Sequence, residues 1–164
     1  MLTPPGPSSA DLLIEQTLAD ELGALQHFCT LLAEEQEVLK RGEADKLPPI
    51  VEKKSVLAGR LGELLAQREH ALTNAGQSAG REGMESWLVK HPRQTEIGKT
   101  WHRLLDLAVT ARSQQELNGK LIAMQLLHNQ QAIAALMSAS GRPLTYGPDG
   151  HQRMGGGGRT LGSA

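Results

Sequence analysis

Leu18, Leu22, Leu25, Cys29, Leu32 and Leu39 follow one another at intervals of four, three, four, three and seven residues. That spacing puts all six on one seam of an α-helix and leaves the rest of the helix surface polar. A second run, Leu47, Ile50, Lys54, Leu57, Leu61, Leu64, Arg68 and Ala71, alternates threes and fours in the same way. Between the two runs stands Gly42, a helix stop. Two seams joined by a few residues predict an antiparallel helical hairpin over about 10–41 and 44–73, each helix about 45 Å long.

The ends of these helices are readable too. Pro4, Pro5 and Pro7 mark residues 1–8 as a flexible lead, after which Ser9 is a candidate cap with Asp11 in the first turn. Asp45 is a candidate cap for the second helix, and Pro48 and Pro49 fall in its first turn, where a missing N–H costs little. Asn74, Gly76, Ser78, Gly80 and Gly83 read as a flexible connector. Met84 to Val89 could form a short helix, stopped before Pro92 because the residue preceding proline avoids the helical region. A third long helix is predicted from about Gln94 to Ser138. The fold class is therefore all-α: a coiled-coil hairpin plus a third long helix, resembling a three-helix bundle. Residues 1–140 form one helical domain and 141–164, with glycines 155–158, a flexible tail.

The third helix departs from the pattern of the first two. Ile97, Trp101, Leu104 and Ala108 keep the seam spacing, but its continuation is Ala111, Gln115, Asn118, Ile122, Gln125, Asn129, Ala132 and Leu136. Half of these are amides. A second stripe, Leu117, Leu121, Met124 and His128, lies on another face. Two readings fit: both faces are covered, one by the hairpin and one by a homodimer partner or the short Trp87 helix, or one face is a docking surface for a partner helix.

Composition excludes several function classes. The net charge of −1 offers no global field for nucleic acid or anionic lipid. Phe28, Trp87, Trp101 and Tyr146 are the only aromatic residues, too few to line a deep aromatic ligand pocket. Cys29 stands alone, so no internal disulfide and no multi-cysteine metal site can form. No apolar run is long enough for a membrane span and no secretory leader is visible, which points to a cytoplasmic protein. Gly98-Lys99-Thr100 looks like the end of a phosphate loop, but the position five residues before Gly98 is Arg93, not glycine. The histidines are never paired at ligand spacing, and Glu34, Glu35 and Glu37 read as a solvated helix face. No catalytic residue, metal site or cofactor is expected.

Lys54 and Arg68 are charges placed on a seam. Either their stems lie along it with the heads in water, or they pair with acids on the facing helix and set its register. An antiparallel arrangement places Lys54 opposite the Glu34–Glu37 region.

Three short patterns resemble the FlgN family of flagellar export chaperones. Lys54, a leucine-rich stretch and Arg68 stand on the second helix. Asn118-Gly119-Lys120-Leu121-Ile122 followed by Asn129 is similar to the family's Asn-Gly-x-x-Ile feature and later Asn. Tyr146-Gly147-Pro148-Asp149-Gly150 resembles its Tyr-Gly-x-x-Gly element. The likeness spans about residues 10–150. It implies a cytoplasmic chaperone that binds the C-terminal amphipathic segments of hook–filament junction proteins and delivers them to the flagellar type III export apparatus. A non-catalytic self-associating module is the alternative. The apolar faces and the Asn-Gly stretch together single out Leu117, Asn118, Leu121, Ile122, Met124, Gln125, His128 and Asn129 as the client-binding region, with Tyr146 from the tail. Lys54 and Arg68 serve the seam.

Overall fold

The computed structural model of the chain describes residues 8–140. Four α-helices and one short 3-10 turn account for nearly all of them: α1 (Ser9–Arg41), the 3-10 turn Ala44–Lys46, α2 (Leu47–Asn74), α3 (Gly80–Lys90) and α4 (Thr95–Ala139). The chain divides into two compact units, Met1–Ala123 and Met124–Ala164.

In the first unit, α1 and α2 form the antiparallel hairpin. Two ion pairs fix its register: Glu35 with Lys54 at 2.8 Å and Glu21 with Arg68 at 2.9 Å. Their positions differ by two heptads on each helix and run in opposite directions, as an antiparallel coil requires. The seam leucines Leu18, Leu25, Leu32 and Leu39 are buried, as are Ile50, Leu64 and Leu72 on α2. Each such side chain contributes about 1.5–3 kcal/mol relative to exposure.

The helix ends explain the boundaries. Ser8, not Ser9, caps α1. Its hydroxyl accepts from the Asp11 N–H at 3.2 Å while the Asp11 carboxylate accepts from the Ser8 N–H at 2.9 Å. This is a capping box, and it needs the acid three residues after the cap, which selects Ser8. Gly42 ends α1 with φ +69°, its N–H on the Leu39 carbonyl and that of Glu43 on Val38. Asp45 caps nothing; it lies in the 3-10 turn, and α2 starts at Leu47 with proline in its first turn.

Helix α3 starts earlier than the glycine-rich connector suggested. Gly83 packs so closely on the Ser78 carbonyl that a Cβ there would collide with it. The glycines thus let the chain turn tightly and re-enter a helix rather than keeping it loose. Trp87 and Met84 then bury completely against the hairpin.

The first part of α4 joins the same core through Ile97, Trp101, Leu104 and Ala111. Its rotation differs from the expected register. Ala108 and Gln115 are exposed, whereas Leu107 and Gln114 are half-buried. Turning Leu107 inward in place of a methyl group buries more apolar surface. Asn118, at its expected seam position, meets α1.

Candidate functional site

Buried polar groups seat the first half of α4 inside the first unit. Asn118 is 1% exposed. Its Nδ2 donates to the Leu32 carbonyl at 2.8 Å and to Glu35 Oε2 at 2.8 Å. Glu35 Oε2 also takes Lys54 Nζ, so one carboxylate ties α1, α2 and α4 together. Lys54 lies 6.0 Å from the Phe28 ring centre. Two heptads away, Arg68 donates through Nε to Glu21, and its guanidinium stacks 5.0 Å from the Trp101 ring centre. Burial pushes the Glu21 carboxyl above its ordinary value, and the Arg68 hydrogen bond and charge offset this only in part. Among the described residues, four buried polar atoms have no hydrogen-bond partner: Arg68 Nη1, Trp101 Nε1, Gln114 Oε1 and Asn118 Oδ1. The seat of α4 is specific in geometry and costly in desolvation.

A separate clamp closes the start of α1. Trp87 Nε1 donates to Asp11 Oδ1 at 2.9 Å, and the His91 ring stacks on Trp87 at 4.2 Å between centres. His91 Nε2 stands 3.6 Å from the same carboxylate oxygen. Burial raises the Asp11 pKa, but the hydrogen bonds from Ser8 and Trp87 and the His91 charge outweigh it and leave the carboxyl below its ordinary value.

The residues singled out from the sequence separate into two sets. Asn118 is interior, and its amide is committed to Leu32 and Glu35, so it is a positioning residue of the bundle rather than a surface contact. Leu121 is half-buried, as is Gln125. Leu117, Ile122, Met124, His128 and Asn129 are exposed. Tyr146 lies outside the described residues. Lys54 and Arg68 sit on the hairpin seam with acid partners, Lys54 on Glu35 within the predicted stretch.

The second unit, by itself, presents what the sequence reading missed. Leu126 is 57% exposed, Ile133 58% and Leu136 71%. With Asn129 they follow intervals of three, four and three, a heptad stripe. Leu127 is exposed as well. From Leu121 to Gly141 the chain contains no Asp, Glu, Lys or Arg. That absence was a readable signal, because a solvated helix normally carries charges on its outer face. Leucine and isoleucine exposed without charged neighbours form an apolar patch of the kind that interaction surfaces carry.

A groove of about 540 Å³ runs along the hairpin between α1 and α2, lined by His27, Leu31, Val56 and Leu57 among others, and contains no predicted site residue. Among the described residues no cluster of His, Cys, Asp and Glu could hold a metal ion, and no helix is long and apolar enough to cross a membrane. Burial raises the Cys29 thiol pKa, which makes it a poor nucleophile.

Against known proteins, residues 13–153 match the family model described as FlgN protein. Two curated relatives from Yersinia enterocolitica, one of them from serotype O:8 / biotype 1B, are both named Flagella synthesis protein FlgN. Each is 29% identical over 142 residues, covering 85% of this chain and 89% of its own length. No solved structure matches.

Proposed function

The chain belongs to the FlgN family, and from that premise we propose that it is a non-catalytic chaperone of flagellar assembly. It binds the C-terminal amphipathic segments of hook–filament junction proteins in the cytoplasm and hands them to the flagellar type III export apparatus. The observation that carries this reading is the exposed, charge-free second half of α4. An amphipathic client segment buries its own apolar face and covers this one, which removes both from water and blocks premature assembly. The first half of α4 is seated through Trp101 and Asn118 on the base that the hairpin forms. Lys54 and Arg68 hold that base in register and do not touch the client.

The test is a pull-down of junction proteins with and without their C-terminal segments. Retention that depends on the segment supports the proposal. Equal retention without it, or none with it, refutes it. Sedimentation over a range of concentrations checks the self-association alternative.

A further inference from the structure

Asn118-Gly119 is the one Asn-Gly step in the chain; Asn74 precedes Ala75 and Asn129 precedes Gln130. Asparagine is a labile residue, and a glycine after it offers no side chain to hinder attack by the backbone. The Gly119 nitrogen can add to Cγ of Asn118. The Cγ–Nδ2 bond then breaks, and the amide group takes up the proton from the Gly119 nitrogen and leaves as ammonia. The product is a five-membered imide. Water opens it to an acid, as aspartate or its β-linked isomer, and no electron changes hands.

The fold does not require this glycine. It lies inside α4 without a positive φ, and a Cβ there would meet nothing within 4 Å. Glycine in a helix interior also destabilises relative to alanine. What the fold supplies is a shield. Asn118 is 1% exposed, and its Nδ2 is held by the Leu32 carbonyl and Glu35. The Gly119 N–H is tied into the helical ladder, and ring closure must break that bond and turn the peptide out of the helix. Reaction therefore waits for local opening of α4.

The product suits the seat badly. An acid at position 118 has no N–H for the Leu32 carbonyl, and it sets a second carboxylate against Glu35, whose Oε2 already takes Lys54. Like charges buried side by side disrupt packing. We propose that Asn118-Gly119 is a latent modification site, shielded while α4 is seated on α1, whose conversion to an acid after opening prevents reseating. The site is independent of what the second half of α4 binds.

The experiment follows the full-length chain in mildly alkaline buffer, folded and in urea, by mass spectrometry of the peptide carrying Asn118. In urea that peptide should gain one dalton. In the folded chain the gain should be at least about tenfold slower, because only the open fraction reacts. Gly119→Ala should slow the conversion in urea at least about tenfold, and the peptides carrying Asn74 and Asn129 should be as slow. Asn118→Asp should lower the thermal midpoint at neutral pH at least about 5 °C further than Asn118→Ala does.

Conversion at one rate in both states means that the seat shields nothing. No conversion in urea, or an unchanged rate after Gly119→Ala, means that there is no latent site. A midpoint for Asn118→Asp no lower than that of Asn118→Ala means that the seat accepts the acid. Each of these overturns the inference. An Asn118→Asp chain that fails to fold where Asn118→Ala folds supports it.

Discussion

One helix carries two opposite solutions to the same problem. From Thr95 to Ala123, α4 hides Ile97, Trp101 and Leu104, turns Lys99, Arg103, Asp106 and Arg112 outward, and brings an amide, Asn118, inside. From Met124 to Ala139 it has no charge to turn outward and leaves Leu126, Ile133 and Leu136 in water. The first part is a seat and the second an offer. A polar residue buried with partners marks where the fold is specified, whereas an apolar residue exposed without charged neighbours marks where a partner is to arrive. Substitutions in the two parts should therefore fail in different measurements.

The largest effect belongs to the seat. Removing Glu21 as Glu21→Ala leaves Arg68 buried without its carboxylate, and chemical denaturation should register a loss of about 3–5 kcal/mol. The double variant Glu21→Met with Arg68→Met should recover most of it. Glu21 also has a pH signature. Its folded pKa is raised above the ordinary 4.5. Its contribution to stability is therefore fully present below that value and declines as pH rises through the folded pKa. Replacing both residues should remove this decline.

Next comes Asn118→Ala, which deprives the Leu32 carbonyl and Glu35 of a donor and should cost about 1–3 kcal/mol. Equal loss of client affinity at a temperature where the variant is fully folded would break the division between seat and offer, since Asn118 does not reach the surface.

Asp11→Asn should act at neutral pH and lose its effect in acid. The folded Asp11 pKa lies below its ordinary 3.8, so its stabilisation is present above that value and is lost as pH falls through the folded one. The variant should be less stable than the wild type at neutral pH, and the difference should close below about pH 4, where the wild type loses the same contribution. Smallest of all, Leu136→Ala should change stability by no more than about 0.5 kcal/mol, because the residue is exposed.

The hairpin was legible because heptad spacing is local information, and the seam charges were legible because antiparallel geometry places Lys54 against the Glu34–Glu37 stretch. Its edges were less so. Ser8 and Ser9 are equally good caps until Asp11 is counted as the third residue of a capping box. Gly80 and Gly83 read as looseness, yet Gly83 serves close packing on Ser78. The rotation of α4 could not be read, because Leu107 and Ala108, or Gln114 and Gln115, are neighbours separated only by what the hairpin presents. Asn118 stood on the expected seam, and it joined the client-binding candidates through the resemblance of the Asn-Gly stretch. Leu126 and Ile133 were missed because the seam was extended through Gln125 and Ala132, one residue away on the helix, although Asn129 and Leu136 stood on it.

The most direct test measures two quantities on one variant, Ile133→Ala: the thermal midpoint of the free chain and its affinity for a junction-protein C-terminal segment. Surface docking on the second half of α4 predicts a midpoint close to the wild type and an affinity at least about tenfold weaker. A lowered midpoint with unchanged affinity would show that Ile133 is part of the packed fold and that the client binds elsewhere.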